Sequence, residues 1–214
     1  MNMVNELMEK RLIEANEAIT NALESPDILP VLTRFAYDEI RLNQGLDLYK
    51  AAFRLYHKRQ REFGEQLRAG EIYKTTLEEA KEKFKVIRQV AILALRKHEP
   101  LKKIAGIDSP PDRTLGGWME DARQFYINSL GTPNILEKLS RFGVTTVDLE
   151  QGKQLVDEVE KAAAYHEKQK GKAQQATRER DRAYKKMREW MRDFRQVCRI
   201  AFADNPQKLE KLGF

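Results

Sequence analysis

Three histidines, one cysteine and a run of lysines and arginines are the side chains in this 214-residue sequence whose types could do chemistry. None of His57, His98 and His166 has a glutamate three positions before it. A carboxylate-bridged metal pair in a helical bundle needs that Glu-x-x-His spacing on two helices. Neither it nor Cys-x-x-Cys nor His-Glu-x-x-His occurs, so no metal ligands are expected. Cys198 falls on an apolar stripe between Val197 and Arg199 and reads as a buried, inert thiol rather than a nucleophile. Paired acids such as Glu78-Glu79 are adjacent in sequence, and adjacent positions do not face each other on a helix. No phosphate-cradling glycine string is present. Catalytic residues, a cofactor and enzymatic activity are therefore not expected.

The basic run is the remaining candidate. Between Lys168 and Arg199 stand twelve Lys or Arg against four acids. Lys168, Lys170, Lys172, Arg178, Arg180 and Arg182, with Lys185 and Lys186, form a candidate basic surface. Such a surface suits nucleic-acid phosphates or anionic lipid. Nucleic-acid binding by stacking also asks for exposed aromatic partners, and the nearby Tyr184, Trp190 and Phe194 lie on or beside an apolar seam. A solvated helical face is the plainer interpretation. Glu167 to Arg182 contains no large apolar residue, whereas the matching part of the first half keeps Phe63, Leu67, Ile72 and Tyr73. The second stretch is thus expected to be solvated and the first to pack.

Helices must position all of these residues. Charged residues make up 34% of the chain, and there are only 11 Gly and 7 Pro, which favours long amphipathic helices over sheet. Sliding the chain by 107 residues aligns its halves without a gap. Ile28-Leu29 meets Ile135-Leu136, Arg34-Phe35 meets Arg141-Phe142, Gln44-Gly45 meets Gln151-Gly152, and Arg88-Gln89-Val90 meets Arg195-Gln196-Val197. An internal repeat decides the architecture before any other feature. The expected fold is all-α: a pseudo-twofold antiparallel bundle of long helices, built from repeat 1 (1–107) and repeat 2 (108–214) packed together.

Each repeat reads alike. A first helix covers roughly 2–24 and 112–130, followed by a short helix ending at Phe35 and Phe142. Asp38 and Thr145 cap a third helix, the latter with Asp148 as a capping box. The third helix is expected to end near 69 and 175, and a fourth near 97 and 203, with Thr75-Thr76-Leu77-Glu78 as a start signal. In repeat 2 Gly171 is the only breaker between them, so the sequence leaves open whether those two helices are separate or one continuous rod. Pro100 and Pro206 open a last turn closed by Gly106 and Gly213. Leu77, Ala80, Phe84, Ile87, Ala91 and Ala94 step 3-4-3-4-3, as do Tyr184, Met187, Met191, Phe194, Cys198 and Ala201. These seams are expected to close as hairpins within each repeat. Gly45 and Gly152 inside the third helices point to close helix–helix approach, and His166 on the seam to a polar layer that sets register.

Trp190 to Arg195, then Arg199-Ile200-Ala201-Phe202, Asn205-Pro206-Gln207 and Leu209 to Gly213, with Gly117-Trp118 and Ala122 to Tyr126, resemble an uncharacterised family of all-helical prokaryotic proteins carrying this duplication. The resemblance implies the fold and brings no established activity, cofactor or site residue. Lys83 stands where repeat 2 has Trp190. The expected function is a non-catalytic helical interaction or scaffold protein that self-associates, as a homodimer, or binds a protein partner. Nucleic acid bound through 168–199 and anionic membrane surfaces are the alternatives. With a single cysteine, no apolar run near the ~20 residues that span a bilayer and no signal-peptide pattern at Met1–Glu6, the expected location is cytoplasmic.

Overall fold

The computed structural model describes residues 3–214, with side chains from Glu6 onward. Eight helices and no strand occur among the described residues: α1 (Met3–Glu24), α2 (Leu29–Thr33), α3 (Glu39–Ala94), α4 (Glu99–Ala105), α5 (Leu115–Gly131), α6 (Pro133–Ser140), α7 (Thr146–Ala201) and α8 (Pro206–Lys211). The chain is all-α, and none of its described helices is long and apolar enough to cross a membrane.

The hairpins expected within each repeat do not form. The third and fourth helices of each repeat are one uninterrupted 56-residue helix, α3 and α7. Thr76 is no helix start, because its hydroxyl donates to the Ile72 carbonyl one turn back (2.9 Å), and Thr177 does the same to Ala173. A threonine that satisfies itself inside the helix offers no cap. Gly64, Gly70 and Gly171 cost roughly 1 kcal/mol each against alanine, too little to break a helix held along its whole seam.

Two compact units result, and they do not follow the repeats. Unit 1 joins the chain up to Gly64 with Gly171–Phe214, and unit 2 is Glu65–Lys170. In unit 1 the first part of α3 runs antiparallel to the last part of α7: Tyr37 meets Phe194 (5.2 Å between rings), and Lys58 pairs with Glu179 (2.8 Å). In unit 2 the last part of α3 runs antiparallel to the first part of α7: Lys83 pairs with Asp148 (3.1 Å), and Tyr73 stacks on His166 (5.9 Å). Most of the seam predicted from sequence is buried in both, including Phe84 in unit 2 and Met191 in unit 1, while Leu77, Ala94 and Ala201 are half-buried.

The packing of residues 167–182 departs from the expectation in part. Most of the stretch is exposed as expected, and Tyr73 packs against the core, but four residues of the stretch turn inward and three of its apolar counterparts turn outward. Gln169, Ala173, Ala176 and Arg180 are buried, whereas Phe63, Leu67 and Ile72 are 39%, 59% and 47% exposed. Small seam residues, Ala69 among them, let helix axes approach closely, and bulky side chains are then turned outward.

The glycines at 45 and 152 do mark close approach. A Cβ on Gly45 would overlap the Trp190 ring, and one on Gly152 would overlap the Tyr126 ring. Trp190 is itself held by Tyr37 and Phe194, and Tyr126 by Phe84 and Phe125. Asp38 caps α3 through the Arg41 N–H (2.9 Å). Thr145 and Asp148 cap α7 reciprocally: the Asp148 N–H donates to Thr145 Oγ1 and the Thr145 N–H to Asp148 Oδ2. Before each long helix the chain turns through a left-handed residue, Gly143 (φ +81°) and Ala36 (φ +60°). At Ala36 this costs about 1–2 kcal/mol that glycine avoids.

Glycine-to-alanine substitutions in α3 therefore have opposite signs. Gly45→Ala drives Trp190 from its slot at a cost of about 1–3 kcal/mol, outweighing the helix-propensity gain. Gly64→Ala, with open space around its Cβ, raises stability by roughly 0.5–1 kcal/mol. Urea unfolding midpoints check both. The hydrogen bonds from Thr145, with Lys83 added, hold the Asp148 carboxyl at about 2 against its usual 3.8. A carboxyl lowered in the folded state stabilises fully above its unfolded value, and the contribution is lost as pH falls through the folded one. Asp148→Asn is expected to flatten the loss of stability between about pH 4 and pH 2, read from midpoints at pH 5 and pH 2.5.

Candidate functional site

The net charge of +6 divides equally between the repeats: 19 basic against 16 acidic residues in 1–107, and 20 against 17 in 108–214. It does not divide equally between the compact units. Unit 1 holds 21 Lys and Arg against 16 Asp and Glu, a net +5; unit 2 holds 18 against 17, a net +1.

In unit 1 the excess gathers around a cleft of about 760 Å³ between α1 and the last part of α7. Arg11 comes from α1, and Lys185, Arg188, Arg192, Arg195 and Arg199 come from α7. Only Glu14 and Glu189 oppose them in the lining. Ala15, Met187 and Met191 form the floor, and all three are buried. Lys185 lies 3.9 Å from Glu189, and Arg192 bonds its neighbour Asp193 (3.1 Å). Arg188 sits over the Tyr184 ring and Arg195 over Phe214. Among the described residues no carboxylate pairs with Arg11, Arg188, Arg195 or Arg199, and the buried Nε of Arg195 has no hydrogen-bond acceptor. The guanidinium donors of Arg11, Arg188 and Arg199 are left without an acidic partner, whereas the enclosed Arg195 Nε is closed to any ligand.

Unit 2 lacks this arrangement. At the position of Arg11 it has Trp118, which is buried, with the Lys81 ammonium 5.6 Å above its ring. Glu78 stands where unit 1 has Lys185, and Ile92 where it has Arg199. Three of the six cleft cations are thus replaced.

The basic residues singled out from sequence all lie on α7 but not together. Lys168 and Lys170 belong to unit 2, where Lys170 pairs with Glu167 (3.3 Å). Lys172, Arg178, Arg182 and Lys186 are exposed in unit 1. Arg180 is not on the surface. It takes a seam position and is 8% exposed, its guanidinium turned onto Asp181 (2.7 Å). Only Lys185 of that group lines the cleft. The α7 arginines at 188, 192, 195 and 199 were within the basic run, and a signal for two of them was present: Arg178, Lys185, Arg192 and Arg199 are spaced by seven. Arg11 lies far off in the chain and carries no such signal.

The other reactive side chains fall into structural roles. His57 packs edge-on to Phe53 (4.5 Å), and the His166 ring edge touches the space beside Gly70. Among the described residues no group of three or more His, Cys, Asp or Glu could hold a metal ion. Cys198 is buried, and burial pushes its thiol up to about 12. Its reaction with a disulfide reagent at pH 8 is expected to be negligible in the folded protein and fast in urea, as thiol absorbance assays will show. Compared with family models, curated proteins and solved structures, the chain matches none.

Proposed function

We propose that the chain is a non-catalytic helical interaction protein that engages a polyanionic partner through the cleft of unit 1. The observation that carries this is the concentration of positive charge: net +5 on one compact unit, with four cleft arginines left without an acidic partner. A cleft lined by one sign of charge focuses potential and raises the local concentration of an oppositely charged partner. The pseudo-twofold relation of the two repeats is part of the same proposal. It is supported by the two cores, which use positions 107 apart: Ile28 and Ile135, Leu32 and Leu139, Leu42 and Leu149, Met191 and Phe84. On this view one duplicated helical frame keeps a neutral copy of the cleft filled by Trp118 and an open, charged copy bordered by Arg11.

Heparin chromatography tests the proposal. The protein should be retained and elute at clearly higher salt than Arg188→Glu/Arg192→Glu/Arg199→Glu. A variant with the equivalent unit 2 cations reversed, Lys81→Glu/Lys85→Glu, should elute close to the parent. Equal elution of the parent and the triple variant would remove the cleft as the binding surface.

A further inference from the structure

We infer that the partner of this cleft is the phosphodiester backbone of a double-stranded nucleic acid, bound without sequence preference; this rests on the interaction function proposed above. Arg178, Lys185, Arg192 and Arg199 recur every seven residues along α7. The last three each follow a buried seam residue by one position, namely Tyr184, Met191 and Cys198. A helix whose seam repeats every 3.5 residues carries such positions in one row. The row is about 31 Å long at 1.5 Å per residue, and every member lies in unit 1. The equivalent positions of repeat 1 are Glu71, Glu78, Lys85 and Ile92, so the row is a property of this copy alone. Arg188 and Arg11 widen it across the cleft.

Three features favour a nucleic-acid backbone over an acidic protein helix or a lipid surface. The floor residues Met187 and Met191 are 1% and 7% exposed, so an amphipathic helix would find little apolar surface to bury against. Exposed ion pairs alone contribute little to protein–protein affinity. A polyelectrolyte differs, because each phosphate neutralised releases a condensed counterion. Arginine also predominates in the row and the cleft, and its planar fork matches phosphate oxygens in pairs. Finally, the aromatic residues of this stretch are engaged in packing: Trp190 against Gly45 and Tyr37, Tyr184 in the core. None is free to stack on an unpaired base, which points to a duplex read through its backbone.

The test uses the full chain with three probes: a fluorescein-labelled 24-base-pair DNA duplex of arbitrary sequence, poly-glutamate, and phosphatidylserine-containing vesicles. Duplex binding is expected at 50 mM salt, equally for a second sequence. With about six cations engaged, the slope of log K against log[salt] is expected near −5, a loss of about a thousandfold by 200 mM. Arg192→Glu/Arg199→Glu, with unchanged circular dichroism and melting, should weaken binding at least tenfold and reduce the slope by about two. Lys81→Glu/Lys85→Glu should leave both unchanged. Tighter binding to poly-glutamate or vesicles than to the duplex, dependent on the same two arginines, would overturn the nucleic-acid inference and leave the interaction function standing. Binding to none of the three probes would overturn both, as would equal loss in the unit 2 control.

Discussion

An apolar seam 56 residues long cannot be covered by the helix that carries it. Both α3 and α7 present such a seam, and neither is broken where a hairpin would need a turn. Each is therefore covered in part by the other, with α1 and α2 completing the core of unit 1 and α5 and α6 that of unit 2. The hydrophobic burial of Leu42, Ala52, Phe84 and Ala91 on one, and of Leu149, Val159, Met191 and Cys198 on the other, enforces that exchange. Every other feature of the fold follows from it: the core of each unit, the pairing of α1 with the end of α7, and the place of the short helices.

The exchange also redistributes charge. The second half carries twelve of its twenty basic residues after residue 170, and these enter unit 1 with the first 64 residues of the chain. Arg11 and the α7 arginines are brought to one cleft by that step alone. The two units differ around similarly placed glycines. In unit 1 bulk at Trp190 fills the space beside Gly45; in unit 2 Tyr126 fills the space beside Gly152, and the position of Trp190 is left to Lys83. Close packing tolerates such differences when the total volume is kept.

Much of the local structure was legible in residue order. The seam positions around Phe84 and Met191, the caps at Asp38 and Thr145, the left-handed Gly143 and the tight approach at Gly45 and Gly152 depend on neighbours a few residues away or on spacing along one helix. Less legible were the continuity of α3 and α7 and the burial of Arg180. Thr75-Thr76 and Gly171 look like helix boundaries, yet their local preferences amount to about 1 kcal/mol, and long-range burial overrides them. Lys168 and Lys185 look like members of one surface because they share a run, although they belong to different compact units.

Sequence by itself determined the helical class and the faces each helix buries, since side-chain periodicity is a property of one helix at a time. Tertiary structure alone decided which seam covers which, and so placed net +5 on one unit and joined Arg11 to arginines far along the chain. The physical reason is that the apolar seams of α3 and α7 are nearly interchangeable in pattern. Only helix continuity, a balance of small local costs against a long shared interface, selects the partner.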